Sequence, residues 1–361
     1  MLDFLSDDPK KIVVVGDVFV SPDTMEEAVR KSRIKSGEIV KVFWGNDDKQ
    51  LFAARQLNIE RNGPEAESYA DGLDALIADA DILFTHFSPV PRKLIEKGKK
   101  LKAILTCRGG VEHICMEAAN ERNIPVINVI RNAEAVAEFT IGLIIAMTRN
   151  IAISHHALTE GKWMKTFPNS DFTTTLSQLT LGLAGVGSIG IEVALRLKAL
   201  GINMIAHDKY VSPDTLGKNG LECIRMVPTL EDLFREADVI SLHLRLTKEN
   251  KGLIDKRYFS LMKPTAYFVN TARGGLVNQE DLVEVLKNHA IAGAALDVFD
   301  VEPIDGNSEL MGLDNLVFTP HIAGTTVDAI PKCPFMLLRE VDKILTKGVT
   351  DRIVNYRNIA I

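Results

Sequence analysis

From residue 11 onward the chain repeats one pattern of polarity. A short continuous apolar run is followed by a longer segment with apolar residues on one helical face. Runs at 11–16, 39–44, 81–85, 101–106 and 126–129 predict strands, and 25–35, 49–57, 73–80, 91–97 and 116–122 predict helices. The acidic, loosely patterned first ten residues read as a surface start, and 25–35 as an exposed helix. Residues 134–149 carry a long apolar helical pattern with few polar breaks, suited to a helix that connects two domains and is buried by both. Trp163 and the polar stretch 165–176 read as a surface loop. Apolar strand runs at 179–184, 202–206, 221–226, 239–244, 267–270, 291–297 and 317–319 follow, with helices at 191–200, 230–236, 279–288 and 333–346. Strands without in–out alternation, separated by helices, predict parallel sheets and an α/β fold.

The strongest local signal lies at 179–208. An apolar strand runs into Gly-Val-Gly-Ser-Ile-Gly at 185–190, a helix follows, and a second short strand ends at Asp208. In this G-x-G-x-x-G spacing Gly185 makes the tight turn, Gly187 lets the backbone approach a pyrophosphate, and Gly190 permits close helix packing. The pyrophosphate would sit on the free N–H groups of the new helix, and Asp208 stands where an acid binds a ribose diol. The alternative is a tight strand–helix turn without a ligand.

In parallel α/β sheets ligands bind beyond the carboxyl ends of strands. Arg273, Glu302, His321 and the 107–111 loop all stand at or just past such ends. Oxidation of an alcohol removes a hydride and a hydroxyl proton. A histidine suits the proton, a carboxylate beside it fixes the tautomer and favours the imidazolium, and an arginine fork suits a carboxylate. Each has a plainer reading: His321 as a strand-end cap, Arg273 as a brace of the Gly274–Gly275 turn, Glu302 as a solvated turn acid.

Composition narrows the class. The 361 residues are 46% hydrophobic and 25% charged, which predicts a globular protein of two domains. The net charge of −6 argues against general affinity for nucleic acid. Cys107, Cys115, Cys223 and Cys333 form neither metal-ligand spacing nor a disulfide framework, which fits a reducing, cytoplasmic setting. No signal peptide is read at the N-terminus, and the apolar run 139–147 is too short to cross a bilayer. No membrane partner and no metal are expected; His155 and His156 face different directions on a helix.

Five stretches together are specific. They are Arg-Asn-Ala-Glu-Ala-Val-Ala-Glu at 131–138, the glycine turn at 185–190, the stretch 262–277 containing Asn-Thr-Ala-Arg-Gly-Gly, Ala-Leu-Asp-Val-Phe-Asp-Val-Glu-Pro at 295–303, and Thr-Pro-His-Ile-Ala-Gly at 319–324. In these the chain closely resembles the D-isomer-specific 2-hydroxyacid dehydrogenases, especially the phosphoglycerate and glycerate dehydrogenase-like branch, over roughly residues 70–325. The resemblance implies two Rossmann-like domains. A flavodoxin-like split substrate domain, 1–131 and 329–361, would carry an inserted NAD-binding Rossmann domain, 132–328, with the active site in the cleft.

By the same resemblance His321 is the acid–base, Glu302 pairs with it, and Arg273 binds the carboxylate and polarises the reacting carbonyl. Hydride moves between C2 of a 2-hydroxy or 2-keto acid and NAD, with NADP less favoured. The loop Arg108, Gly109, Gly110 and Val111 holds substrate through backbone N–H groups. Cofactor contacts are expected from Gly185, Gly187, Ser188, Ile189, Gly190, Asp208, His243, Arg245, Thr271, Ala272, Arg273, Asp297 and His321. A homodimer through the cofactor domains is implied.

The chain also departs from the family pattern. Arg108 stands where a small residue is usual, and Thr106 where a basic one is frequent. Arg108 either carries charge into the pocket, toward a phosphate or polyhydroxy chain, or points outward. Arg245 replaces a frequent proline and blurs the NAD preference that Asp208 supports. His86 and Phe87 follow a strand and are expected to line the pocket, whereas Trp163 is expected to pack. A dehydrogenase-like corepressor that binds NAD and protein partners is the alternative class; a formate dehydrogenase is disfavoured because Glu302 stands where glutamine would. The end of the chain soon after 333–346 predicts no added regulatory domain. Phosphoglycerate, glycerate, glyoxylate and sugar-derived acids such as erythronate are the candidate substrates.

Overall fold

The computed structural model describes residues 2, 4–45 and 48–360. The chain divides into two compact units, Met1–Arg131 with Thr326–Ile361, and Asn132–Thr325. The sheet of unit 1 contains β1 (Lys10–Gly16), β2 (Ser36–Phe43), β3 (Ile82–Thr85), β4 (Ala103–Thr106) and β5 (Val126–Asn128). All its pairings are parallel, in the order β2-β1-β3-β4-β5. That is the flavodoxin-like order, and the strand order reverses between β1 and β3. The sheet is covered on both faces, so Ile12, Val13, Val14 and Val15 are all buried.

One face of this sheet is closed by two helices from distant parts of the chain, Pro22–Lys31 and Ala329–Lys347. Pro22–Lys31 buries Met25, Ala28 and Val29, so it is half-buried rather than exposed: its sequence pattern holds a stripe, not a wholly polar surface. Leu2 and Leu5 are also buried, and the start of the chain is part of this core rather than a surface lead-in. Leu337 is fully buried on the long helix and contributes about 2 kcal/mol by area removed from water. The Asn355 carboxamide then ties the tail to β5. It accepts from the Val126 amide at 2.9 Å and donates to the Ile124 carbonyl at 2.9 Å.

Unit 2 holds β6 (Thr180–Ala184), β7 (Asn203–His207), β8 (Arg225–Met226), β9 (Val239–Leu242), β10 (Tyr267–Asn270), β11 (Gly293–Leu296) and β12 (Leu316–Phe318). They form one parallel sheet in the order β12-β11-β10-β9-β6-β7-β8. This is the doubly wound dinucleotide-binding order with one strand added, reversing between β6 and β9. Of the run 221–226 only Arg225–Met226 is strand. Helices Ile151–Thr159, Pro213–Lys218 and Lys256–Phe259 extend the predicted set; Ser212 caps the second by accepting from the Thr215 amide. The apolar helix Ala133–Thr148 lies in unit 2, against Ser188–Lys198 and β10–β12. Among the described residues no single helix is long and apolar enough to cross a membrane. Trp163 does not pack: it is 78% exposed.

Candidate active site

The glycine turn sits at the carboxyl end of β6, at the point where the strand order reverses. Gly185 has φ +94°, which a Cβ-bearing residue adopts only under strain, and a Cβ there would stand 2.9 Å from the His243 carbonyl oxygen. A Cβ on Gly190 would stand 2.5 Å from the Gly185 carbonyl oxygen, so the helix can approach the turn only with glycine there. Nothing lies within 4 Å of a Cβ built on Gly187, which leaves the approach open. The helix starts at Ser188, three residues before the predicted 191, because Gly187 is its N-cap. Ser188 and Ile189 therefore lie in the first turn, where amides have no intrahelical partner.

Asp208 follows β7 beside this turn. Its Oδ2 accepts from the Val186 amide at 2.9 Å and its Oδ1 from the Tyr210 amide at 2.7 Å, which fixes the carboxylate next to the glycines. His243, past the end of β9, has a buried Nε2 with no hydrogen-bond partner among the described residues. Burial pulls its pKa down to about 4, so the ring is neutral. Arg245, two residues on, is exposed. An open glycine cradle, free helix N-terminal amides, a fixed acid and an orphaned buried imidazole nitrogen fit a dinucleotide.

Past β10, Asn270 shapes the next loop. Its Oδ1 accepts from the Ala272 amide at 3.0 Å and its Nδ2 donates to the Arg273 carbonyl at 3.0 Å. Thr271 is pinned by a 2.8 Å hydrogen bond between its hydroxyl and that of Thr140. A Cβ at Gly274 would collide with the Phe299 backbone, so this loop can lie against the 299–302 segment only because residue 274 is glycine. Arg273 thereby stands near Glu302, whose carboxylate feels its charge.

Glu302 accepts from the Phe299 amide at 2.9 Å through Oε1, and its Oε2 lies 2.6 Å from His321 Nδ1. Burial opposes ionisation of this carboxyl. The His321 hydrogen bond, the Phe299 amide and the charges of His321 and Arg273 outweigh it, so its pKa lies below the usual carboxylate value. An ionised carboxylate only accepts, so Nδ1 carries the shared proton and Nε2 is the atom left to face solvent or substrate. His321 is accessible, with 47% of its side chain exposed.

His321 itself has φ +54°. Asp297, fully buried after β11, holds the turn in that shape. Its Oδ1 accepts from the Thr319 hydroxyl at 2.5 Å and the Ile322 amide at 3.0 Å, and its Oδ2 from the Ala323 amide at 2.8 Å. Expected as a cofactor contact, Asp297 has both oxygens engaged by the chain that carries the histidine.

In unit 1 the loop after β4 is held by its neighbours. The Arg108 amide donates to the Thr106 hydroxyl at 3.3 Å, and Asn128 Nδ2 donates to the Gly109 carbonyl at 2.6 Å. Among the described residues the amides of Gly109, Gly110 and Val111 have no acceptor. The Arg108 side chain neither points outward nor hangs free. It is 19% exposed, its Nη2 lies 2.7 Å from Glu60 Oε1, and its guanidinium stacks 4.4 Å over the Phe87 ring. His86 is buried, with Nδ1 2.6 Å from Asp17 Oδ2. Phe87 stacks on His113, itself fully buried.

Sequence reasoning assigns no role to Asp17, Asn128, Arg131, Thr140 or Asn270. Asp17, Asn128, Arg131 and Asn270 can be found by the rule that finds Arg273, since each stands at or just past a strand's carboxyl end. Thr140 acts through a hydroxyl partner that only the fold supplies.

Comparisons with known proteins agree with this geometry. Residues 141–323 match the family profile described as D-isomer specific 2-hydroxyacid dehydrogenase, NAD binding domain. A D-3-phosphoglycerate dehydrogenase of Methanocaldococcus jannaschii is 38% identical over 286 residues, 78% of this chain and 53% of that protein. The chain thus spans about half the length of that relative. A glyoxylate reductase of Thermofilum pendens is 35% identical over 77% of this chain and 82% of its own length. In fold, the chain is similar to the NAD-complexed D-isomer specific 2-hydroxyacid dehydrogenase of Lactobacillus delbrueckii ssp. bulgaricus, with a TM-score of 0.64, 23% identity and coverage of 96% and 100% of the two chains. With its glycine cradle, its Arg273–Glu302–His321 cluster and these relatives, the chain belongs to the D-isomer-specific 2-hydroxyacid dehydrogenase family.

Proposed function

We propose that the protein is an NAD-dependent D-2-hydroxyacid dehydrogenase acting on a phosphorylated or polyhydroxy acid. The observation that carries this reading is the 2.6 Å pairing of His321 Nδ1 with Glu302, beside Arg273, on the sheet edge that bears the glycine cradle. NAD, held by Gly185–Gly190 and Asp208, supplies the hydride acceptor when bound. His321 Nε2 takes the hydroxyl proton in oxidation and returns it in reduction. Glu302 keeps Nδ1 protonated and offsets the imidazolium charge. Arg273 binds the carboxylate through its fork and polarises the carbonyl oxygen. Within unit 1 the free amides of Gly109, Gly110 and Val111 suit an anion, as successive unpaired N–H groups do.

The test is absorbance at 340 nm with NADH and a panel of 2-keto acids: glyoxylate, hydroxypyruvate and phosphohydroxypyruvate. Turnover is expected, falling by about three orders of magnitude or more in His321→Gln with NADH binding intact. No turnover of any acid would end the proposal.

We further propose that the protein is a homodimer through unit 2. Ile151, Leu158, Trp163 and Met164 are exposed there as a run of large apolar side chains, a pattern that marks interaction surfaces. Light scattering is expected to give twice the 39.8 kDa chain mass, falling to one chain in Leu158→Glu with Trp163→Ser.

A further inference from the structure

Four side chains meet on the carboxyl edge of the unit 1 sheet: Asp17 after β1, His86 after β3, Arg108 after β4 and Arg131 after β5. Strands β1 and β3 flank the reversal of strand order, where such sheets bind ligands. The four are not equivalent. Asp17 is spent: its Oδ1 accepts from the amides of Phe19 at 2.9 Å and Val20 at 3.2 Å, and its Oδ2 takes the proton on His86 Nδ1. His86 then turns its Nε2 toward Arg131, whose Nη1 is 3.5 Å away. Burial pushes the His86 pKa down, so the ring stands as a neutral spacer between carboxylate and guanidinium. Arg108 is spent on Glu60 and the Phe87 face.

Arg131 is left over. It is half-buried, and among the described residues it has no ion-pair partner; its side-chain hydrogen bond is the long approach to a neutral imidazole. Its charge is close enough to Arg108 to lower that group's pKa, after burial; Glu60 pairs with Arg108, whereas the Asp17 carboxylate reaches Arg131 only through the His86 ring. Among the described residues no carboxylate touches this guanidinium directly. The neighbouring segment lies against the substrate loop, since a Cβ on Gly109 would stand 3.0 Å from the Ile130 side chain.

We propose that Arg131 binds a second anionic group on the substrate, a phosphate or a carboxylate at the end remote from the 2-hydroxyl, and that Asp17 and His86 are the residues that position it. The proposal rests on the dehydrogenase reading above and moves the distal charge from Arg108 to Arg131. An arginine fork matches either anion. His86, fixed through Nδ1, gives the guanidinium a lone pair to lean on without neutralising it.

The test compares acids that differ only in the far group. Phosphohydroxypyruvate and 2-oxoglutarate carry a phosphate and a second carboxylate; hydroxypyruvate carries neither. Arg131→Ala is expected to raise KM for one of the charged acids about twentyfold or more, with KM for hydroxypyruvate within about threefold and kcat for it unchanged. The acid so affected identifies the group. Arg131→Lys is expected to recover part of the loss, and His86→Gln and Asp17→Asn to shift the same KM by less. An equal loss on all three acids, or none, overturns the proposal. Calorimetric titration of the cofactor-free protein with phosphohydroxypyruvate and 2-oxoglutarate reads the site without turnover. Binding of either acid that disappears in Arg131→Ala supports it, and no binding by the unaltered protein, or equal binding by the variant, overturns it however the dehydrogenase assay turns out.

Discussion

Asp297 holds His321 in place without touching its ring. The three hydrogen bonds that Asp297 accepts from Thr319, Ile322 and Ala323 bracket a residue at φ +54°, a conformation that costs a non-glycine residue about 1 kcal/mol or more. The imidazole is aimed by its backbone, and Glu302 then sets its tautomer. Asp297→Asn presents an NH2 group to donors. It leaves at least one amide unpaired, at about 1–3 kcal/mol. We expect a lower thermal midpoint and a fall in kcat of about tenfold or more, with NADH affinity measured by fluorescence changed far less. An unchanged kcat would show that the turn holds its shape without the carboxylate.

Glu302→Gln separates charge from geometry at the same site. Glutamine fills the same space and can still accept from the His321 Nδ1–H through its carbonyl, but it brings no negative charge to an imidazolium. We expect kcat to fall about 10- to 100-fold while the fold and NADH binding persist. The measurement is steady-state kinetics at a pH where the parent is fully active.

Much of this architecture is legible in the order of residues along the chain. Alternating apolar strands and helices mark the α/β class, and the strand-end rule picks out Arg273, Glu302 and His321 from chain positions alone. Three kinds of fact are not legible there. Helix Pro22–Lys31 reads as exposed because its partner, Ala329–Lys347, lies three hundred residues away, and no local pattern reports that contact. Arg108 stays open between a pocket charge and an outward-pointing one because Glu60 and Phe87 reach it only through the fold. The hold of Asp297 on the His321 turn leaves no sequence signal because most of its hydrogen-bond partners are backbone amides.

We expect cofactor choice to turn on Asp208. Its carboxylate is fixed beside the glycine turn by the Val186 and Tyr210 amides, so a 2′-phosphate would meet a held negative charge. Asp208→Asn removes that repulsion and keeps one oxygen for the amides. We expect the ratio of kcat/KM with NADPH to that with NADH to rise about tenfold or more. Arg245 adds nothing to this ratio if Asp208 governs it, so Arg245→Ala should leave the ratio within about twofold.

We expect His113 to make unit 1 labile to acid. The ring is fully buried against Phe87, with Nε2 2.9 Å from the Thr106 hydroxyl and Nδ1 without a partner among the described residues. Burial, then the charge of Arg108, lowers its pKa from 6.5 to about 3. Unfolding returns the ring to water, where it takes up a proton near 6.5. The unfolded state therefore binds more protons than the folded one between pH 6.5 and about 3. Stability is complete above 6.5 and is lost progressively as pH falls toward 3, at about 1.4 kcal/mol per pH unit for one proton. His113→Phe keeps an aromatic ring against Phe87 and removes the titration. Its loss of the Thr106 hydrogen bond is a constant offset, the same at every pH. Thermal midpoints of parent and variant measured from pH 7 to 4 should therefore converge or cross as the pH falls; curves that stay parallel would show that the buried imidazole does not govern the acid response.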